Sequence, residues 1–228
     1  MKTTKNQSHP AAVGMRLHLA AALLAAPLVL ALHEFGYTEL HEAAESNNVA
    51  EIKALIEAGE SVETRSIEQK CTPLHAAAMM GHAEAIKALI EKDASTEAQD
   101  DGERTPLHMA ARFGRTNAIK ALVAAGASVE AKEKNSWTPT QIAAKTETKR
   151  TPLHLAALGG YAQAIEALIQ AGASMEALDA DQRTPLQLAR MEGHAEAIKV
   201  LAEQEAEAIN ALLAEQEASL RRSNKNEL

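Results

Sequence analysis

The sequence predicts an all-α repeat solenoid, and three observations carry that prediction. A helix-start signature, Thr-Pro-Leu, recurs at Thr72, Thr105, Thr151 and Thr184, with "TELH" at Thr38 as a variant. Nine residues after each of these threonines stands a residue tolerant of left-handed backbone: Asn47, Gly81, Gly114, Gly160 and Gly193. Finally, the chain is 46% hydrophobic but only 2% aromatic, so Ala, Leu and Ile supply its apolar mass. Such side chains suit closely packed helices better than a sheet built from bulky, β-branched residues.

Each unit reads in the same order. Thr is a good N-cap, because its hydroxyl accepts from an orphan amide of the first turn. Pro at the first helical position loses nothing, since its missing N–H would have had no helical partner. The left-handed residue nine positions on stops this short first helix. A second helix follows, most clearly in "HAEAIKALIEKDA" and "TNAIKALVAAGA", where apolar residues such as Ile86, Leu89 and Ile90 recur at helical spacing. A second stop closes this helix at the same place in four of the five units, at Gly59, Asp93, Gly126 and Gly172, and the expected glycine is missing from the last. No such unit can bury its apolar face alone, so neighbours must stack.

Three of the four intervals between signatures lie close to one period, whereas the step from Thr105 to Thr151 is clearly longer. Within that step, "WTPTQIAAK" begins like a first helix at Thr138, but no second helix follows. The expectation is that the stack passes directly from the Thr105 unit to the Thr151 unit. Residues 136–148 then form a 13-residue irregular insert, either an enlarged finger with its own role or the relic of a lost repeat.

"TPLHAAAMMGHAEAIKALI" and "TPLHMAARFGRTNAIKALVAAGA" resemble the ankyrin repeat, whose signature is Thr-Pro-Leu-His-x-Ala at a period of about 33. Five recognisable copies cover residues 36–204, with one truncated copy in the insert. The resemblance implies paired antiparallel helices with a β-hairpin finger projecting sideways. It also implies that the signature histidines, His41, His75, His108 and His154, hydrogen-bond the backbone of neighbouring repeats. One departure is that Glu63, Glu97, Glu130 and Glu176 stand where the family has Asn near the finger. Ankyrin proteins usually bind partners through the first helices and the fingers. The matching positions on the helices are Met79, Met80, Arg112, Phe113, Leu158 and Met191. On the fingers they are Asp101, Arg104, Lys134, Trp137, Asp181 and Arg183. Large apolar side chains at positions expected to face solvent point to an interface; the competing reading is that they pack against adjacent helices or the insert.

Other chemistry finds little support. A formal charge of −8 argues against a nucleic-acid backbone as partner. The single cysteine, Cys71, excludes an intrachain disulfide and a Cys-rich zinc site. The nine histidines lack the close clustering of metal ligands. No phosphate loop or nucleophile–base arrangement stands out. The expected function is therefore a non-catalytic, cofactor-free protein–protein interaction module, and a monomer. The alternative is a membrane-tethered assembly factor.

The ends of the chain add two expectations. Residues 1–31 are basic and then apolar, with no acid before Glu34, and read as a secretory signal or an N-terminal anchor. That implies a secreted or periplasmic location, or the ER lumen given the terminal "KNEL", with membrane anchoring as the alternative. Residues 205–228 read as an acidic helix and polar tail. The helix contains Ile209, Leu212 and Leu213 and serves as a cap on the stack or as a second docking helix.

Overall fold

The computed structural model describes residues 36–133 and 148–226, with side chains as far as Glu217. Ten helices occupy these residues, in five consecutive pairs. They are α1 (Glu39–Glu45) with α2 (Val49–Glu57), α3 (Pro73–Met80) with α4 (Ala83–Ile90), and α5 (Pro106–Arg112) with α6 (Thr116–Ala124). The last two pairs are α7 (Pro152–Leu158) with α8 (Ala162–Gln170), and α9 (Pro185–Glu192) with α10 (Ala195–Asn226). First helices pack on first helices and second on second, giving two layers held together within each pair.

Local rules place the boundaries where the sequence predicts them. Each first helix starts after its Thr N-cap, in extended backbone, and Pro occupies the first turn in four of the five. All five predicted first-helix stops have positive φ, as do Gly59, Asp93, Gly126 and Gly172. At two of them the absent side chain also makes room for the next unit. A Cβ on Gly114 would meet the Tyr161 ring at 2.6 Å, and one on Gly160 would meet the His194 ring at 2.6 Å. Leu40, Leu74, Leu107, Leu153 and Leu186, all at the same repeat position, are buried. Beneath them lie Ile86 with Leu89, Ile119 with Leu122 and Ile165 with Leu168, three apart on one helix face.

Three kinds of lateral link tie neighbouring units together. The signature imidazoles form the first. The Nδ1 of His75 accepts the Thr72 N–H (3.1 Å), and its Nε2 donates to the Arg104 carbonyl (2.9 Å). His41, His108 and His154 repeat this on Cys71, Arg150 and Arg183. Both ring nitrogens are engaged, so the ring is neutral with its proton on Nε2. The second link comes from the Glu residues that depart from the family's Asn. Glu63, Glu97 and Glu130 each accept the backbone N–H of the following unit's Ser, at 2.7–2.8 Å. In the third, His82, Arg115 and His194 reach back to carbonyls of the preceding unit.

The fingers are tight turns. Among the described residues they contain no strand, so the expected hairpin is reduced to its turn. The second finger closes through Asp100 N–H to the Arg104 carbonyl and the fourth through Asp179 N–H to the Arg183 carbonyl, both 3.0 Å. The third closes identically, Glu133 N–H to the Arg150 carbonyl at 3.0 Å, although the whole insert lies between its two ends. The His108 link to Arg150 also spans it, and α5 packs directly on α7 and α6 on α8. The stack therefore passes from the Thr105 unit to the Thr151 unit as the spacing predicts. The rest of the insert, residues 134–147, lies outside the described residues, as do residues 1–35.

This closure makes excision of the insert a mild change. Deleting residues 135–147 restores the spacing of the second finger, from Asp100 to Arg104. Shortening the closed loop roughly fourfold is expected to raise stability by about 1 kcal/mol, through loop entropy alone. Chemical denaturation checks this. A loss of several kcal/mol would mean that the insert packs on the stack.

Candidate functional site

The first-helix layer and the fingers enclose a groove of about 500 Å³. Its lining comes from two helices, Met79 on α3 and Met109 and Arg112 on α5, and from Phe113, the residue that caps α5. Two fingers supply the rest: Glu68 and Gln69 from the first, Asp101 and Arg104 from the second. Met79 is half-buried against the core, whereas Phe113 remains 40% exposed at the end of its helix. The groove thus combines an apolar floor with acidic and basic groups.

Five sequence-predicted residues meet in this one place: Met79, Arg112, Phe113, Asp101 and Arg104. Arg104 plays a different part from the open finger-tip contact expected of it. Its guanidinium is buried and paired with Asp100 (2.7 Å), so it holds the wall of the groove. Burial opposes the charge on Arg104, but the Asp100 carboxylate overrides this and holds the guanidinium above its ordinary pKa. Asp101 is more open, and its carboxyl is shifted upward by partial burial and by neighbouring Asp100. Beside the groove, Glu133 is buried and its carboxyl is also pushed upward, opposed by Thr148 and by the charges of Arg104, Arg150 and Arg112.

The other predicted residues fall elsewhere. Met80 (37% exposed) closes α3 and faces solvent. Leu158 is half-buried at the end of α7, and Met191 on α9 is 64% exposed, both in the last two units. In the fourth finger Arg183 is turned onto Asp179 (2.8 Å) and Asp181, repeating the Arg104 arrangement. Lys134 and Trp137 lie outside the described residues. Glu68, Gln69 and Met109 are groove residues that the repeat register alone does not single out. For two of them the available signal is the first interval, Thr38 to Thr72, which is one longer than Thr72 to Thr105. It lengthens the first finger, so that Ser66 pairs with Cys71 five positions on, with Ile67, Glu68 and Gln69 at the tip.

Family models described as ankyrin repeats match residues 11–100 and 144–212, and a second ankyrin-repeat model matches residues 89–143. The chain belongs to the ankyrin repeat family. A search of curated proteins returned no match. Ankyrin repeats generally mediate protein–protein interaction, and the groove lies where this repeat geometry brings first helices and fingers together.

The geometry of the repeat also takes up Cys71 and the signature histidines within the stack. Cys71 is buried, and burial pushes its thiol up to about 12, far from a reactive thiolate. The four signature imidazoles have both nitrogens engaged within the stack. Among the described residues, no three His, Cys, Asp or Glu side chains are grouped to hold a metal ion, and no helix is long and apolar enough to cross a membrane.

Proposed function

We propose that this ankyrin-repeat protein is a non-catalytic interaction module whose partner, a protein segment, lies in the groove between α3, α5 and the first two fingers. The observation that carries this reading is the convergence of Met79, Phe113, Arg112 and Asp101 in that groove. A partner's apolar side chain would cover Met79 and Phe113, while Arg112, Asp101 and Glu68 fix its polar flanks. Adaptable Met and a well-anchored aromatic ring are suited to the centre of such a contact. The basic-then-apolar segment 1–31 supports placing this encounter in a secretory or periplasmic compartment.

Phe113→Ala tests the reading, with Met80→Ala, outside the groove, as its control. Both side chains are substantially exposed, so both variants should keep the helicity and melting temperature of the stack. Recovery of the partner from the native compartment, quantified by mass spectrometry, should fall about tenfold or more for Phe113→Ala, the size of effect expected when an interface anchor is removed. Met80→Ala should change recovery much less. Unchanged recovery with Phe113→Ala would place the interface elsewhere, and a marked loss of stability would show that Phe113 is core.

A further inference from the structure

Helix α10 leaves the stack after its first turns. Ala197 and Leu201 are buried, Ile198 and Val200 pack against the same core, and α8 and α9 are the helices that receive them. From Ala206 to Glu217 every residue is exposed. Ile209, Leu212 and Leu213 are 57%, 60% and 53% exposed. They nevertheless repeat Ile198, Leu201 and Ala202 eleven residues on, which is three helical turns and the same face. Residues 206–226 amount to about 30 Å of helix at 1.5 Å per residue. Within it the apolar side chains of Ile209, Leu212 and Leu213 stand open to solvent. A helix of this length is marginal alone in water, and its stability ordinarily comes from covering its apolar face. The cap expected from the sequence therefore accounts for the first turns of α10 and leaves the rest without a role.

We propose that this face is covered by the same face of a second copy of the chain, with the two helices antiparallel. Charge selects both the partner and the direction. Between Lys199 and Arg221 the sequence has Glu203, Glu205, Glu207, Glu215 and Glu217, and no Lys or Arg. A parallel pair would set each of these beside its twin. The same five charges disfavour a nucleic acid or an anionic lipid surface. In an antiparallel pair centred on Leu213, position 221 of one copy is level with position 205 of the other. The basic end of the sequence, Arg221, Arg222 and Lys225, then runs beside the acidic stretch Glu203, Glu205 and Glu207. Glu215 and Glu217 come level with uncharged Ala211 and Ile209. The contact is isologous and closes on itself, as a two-fold dimer requires. It replaces the monomer expected from the sequence and does not rest on the groove or its partner.

Light scattering on the full chain after size-exclusion chromatography tests the pairing. The expected mass is twice the 24.3 kDa of the chain, with dissociation on dilution. Leu212→Glu with Leu213→Glu should give the monomer mass, while circular dichroism shows the repeat stack still folded. A monomeric wild type at every concentration overturns the proposal, and so does a dimer that survives both substitutions. Direction is read separately from Ala206→Cys. In the antiparallel pair its two sulfurs sit about 20 Å apart and cannot bond. A disulfide-linked dimer of that variant would mean parallel helices and would overturn the direction.

Discussion

Acidification from pH 7 to pH 4 is expected to remove about 6 kcal/mol of folding stability through two buried imidazoles alone. Burial lowers the His75 and His108 pKa values from 6.5 to about 4, despite the hydrogen bonds to the Arg104 and Arg150 carbonyls that favour the charged form. Between those values the unfolded chain holds a proton on each ring that the folded chain does not. The stabilisation is complete above pH 6.5 and is lost as pH falls toward 4, at about 1.36 kcal/mol per pH unit and ring. His41 and His154 are shifted the same way, also mainly by burial, and add to the loss. Glu133 acts in the opposite sense: its raised carboxyl pKa means that protonation favours the folded state. Denaturant titrations at successive pH values should show net proton uptake on unfolding of about two near pH 5 from these rings. The chain supplies its own control. Gln187 holds the equivalent place in the last unit, where its Oε1 accepts the Thr184 N–H at 2.9 Å. His75→Gln with His108→Gln should therefore keep the caps but flatten the pH dependence between 6.5 and 4. If the slope is unchanged in that variant, the imidazoles are not its source.

These same positions explain what could be read from the sequence. Caps, stops and the buried Leu of each signature follow from local backbone geometry and helical period, and both leave their marks in every repeat. The spacing of Thr105 and Thr151 similarly marked an excess of sequence between two units that are neighbours in the stack. The long reach of the side chains was harder to read. Glu63, Glu97 and Glu130 read in sequence only as departures from the family's Asn. Only the stacked units show each carboxylate meeting the next Ser amide. Arg104 was chosen by register as a contact, because register does not reveal that Asp100, four residues earlier, claims its guanidinium. Lys53 likewise has Glu57 four residues on along its own helix but lies 3.7 Å from Glu91 on the neighbouring unit. In each case the partner is set by tertiary distance, and a local pattern carries no record of it.

Asp100→Ala is expected to cost about 3–5 kcal/mol, because it strands a buried cation and two backbone amides at once. The Asp100 side chain is fully buried. Its Oδ1 accepts the Gly102 and Arg104 N–H groups, each at 2.9 Å, and its Oδ2 accepts from Arg104 Nε at 2.8 Å. Once this carboxylate is gone, the acid left within ion-pair range of Arg104 among the described residues is Asp101, at 3.7 Å and partly in solvent. The first finger indicates how the loss can be relieved. There Ser66 takes the place of Asp100 and Cys71 that of Arg104, with the Ser hydroxyl accepting the Cys71 N–H at 3.0 Å. A neutral oxygen suffices where no guanidinium has to be held. Asp100→Ser combined with Arg104→Cys should therefore be less damaging than Asp100→Ala alone, by about 2 kcal/mol. Urea denaturation of the single and double variants measures the difference. Equal losses would mean that the finger depends on its shape rather than on the buried charge. The same experiment reaches the groove, because Asp101 and Arg104 form its finger wall. Partner recovery should fall in the single variant even at temperatures where the stack is fully folded, since that wall is no longer held in place.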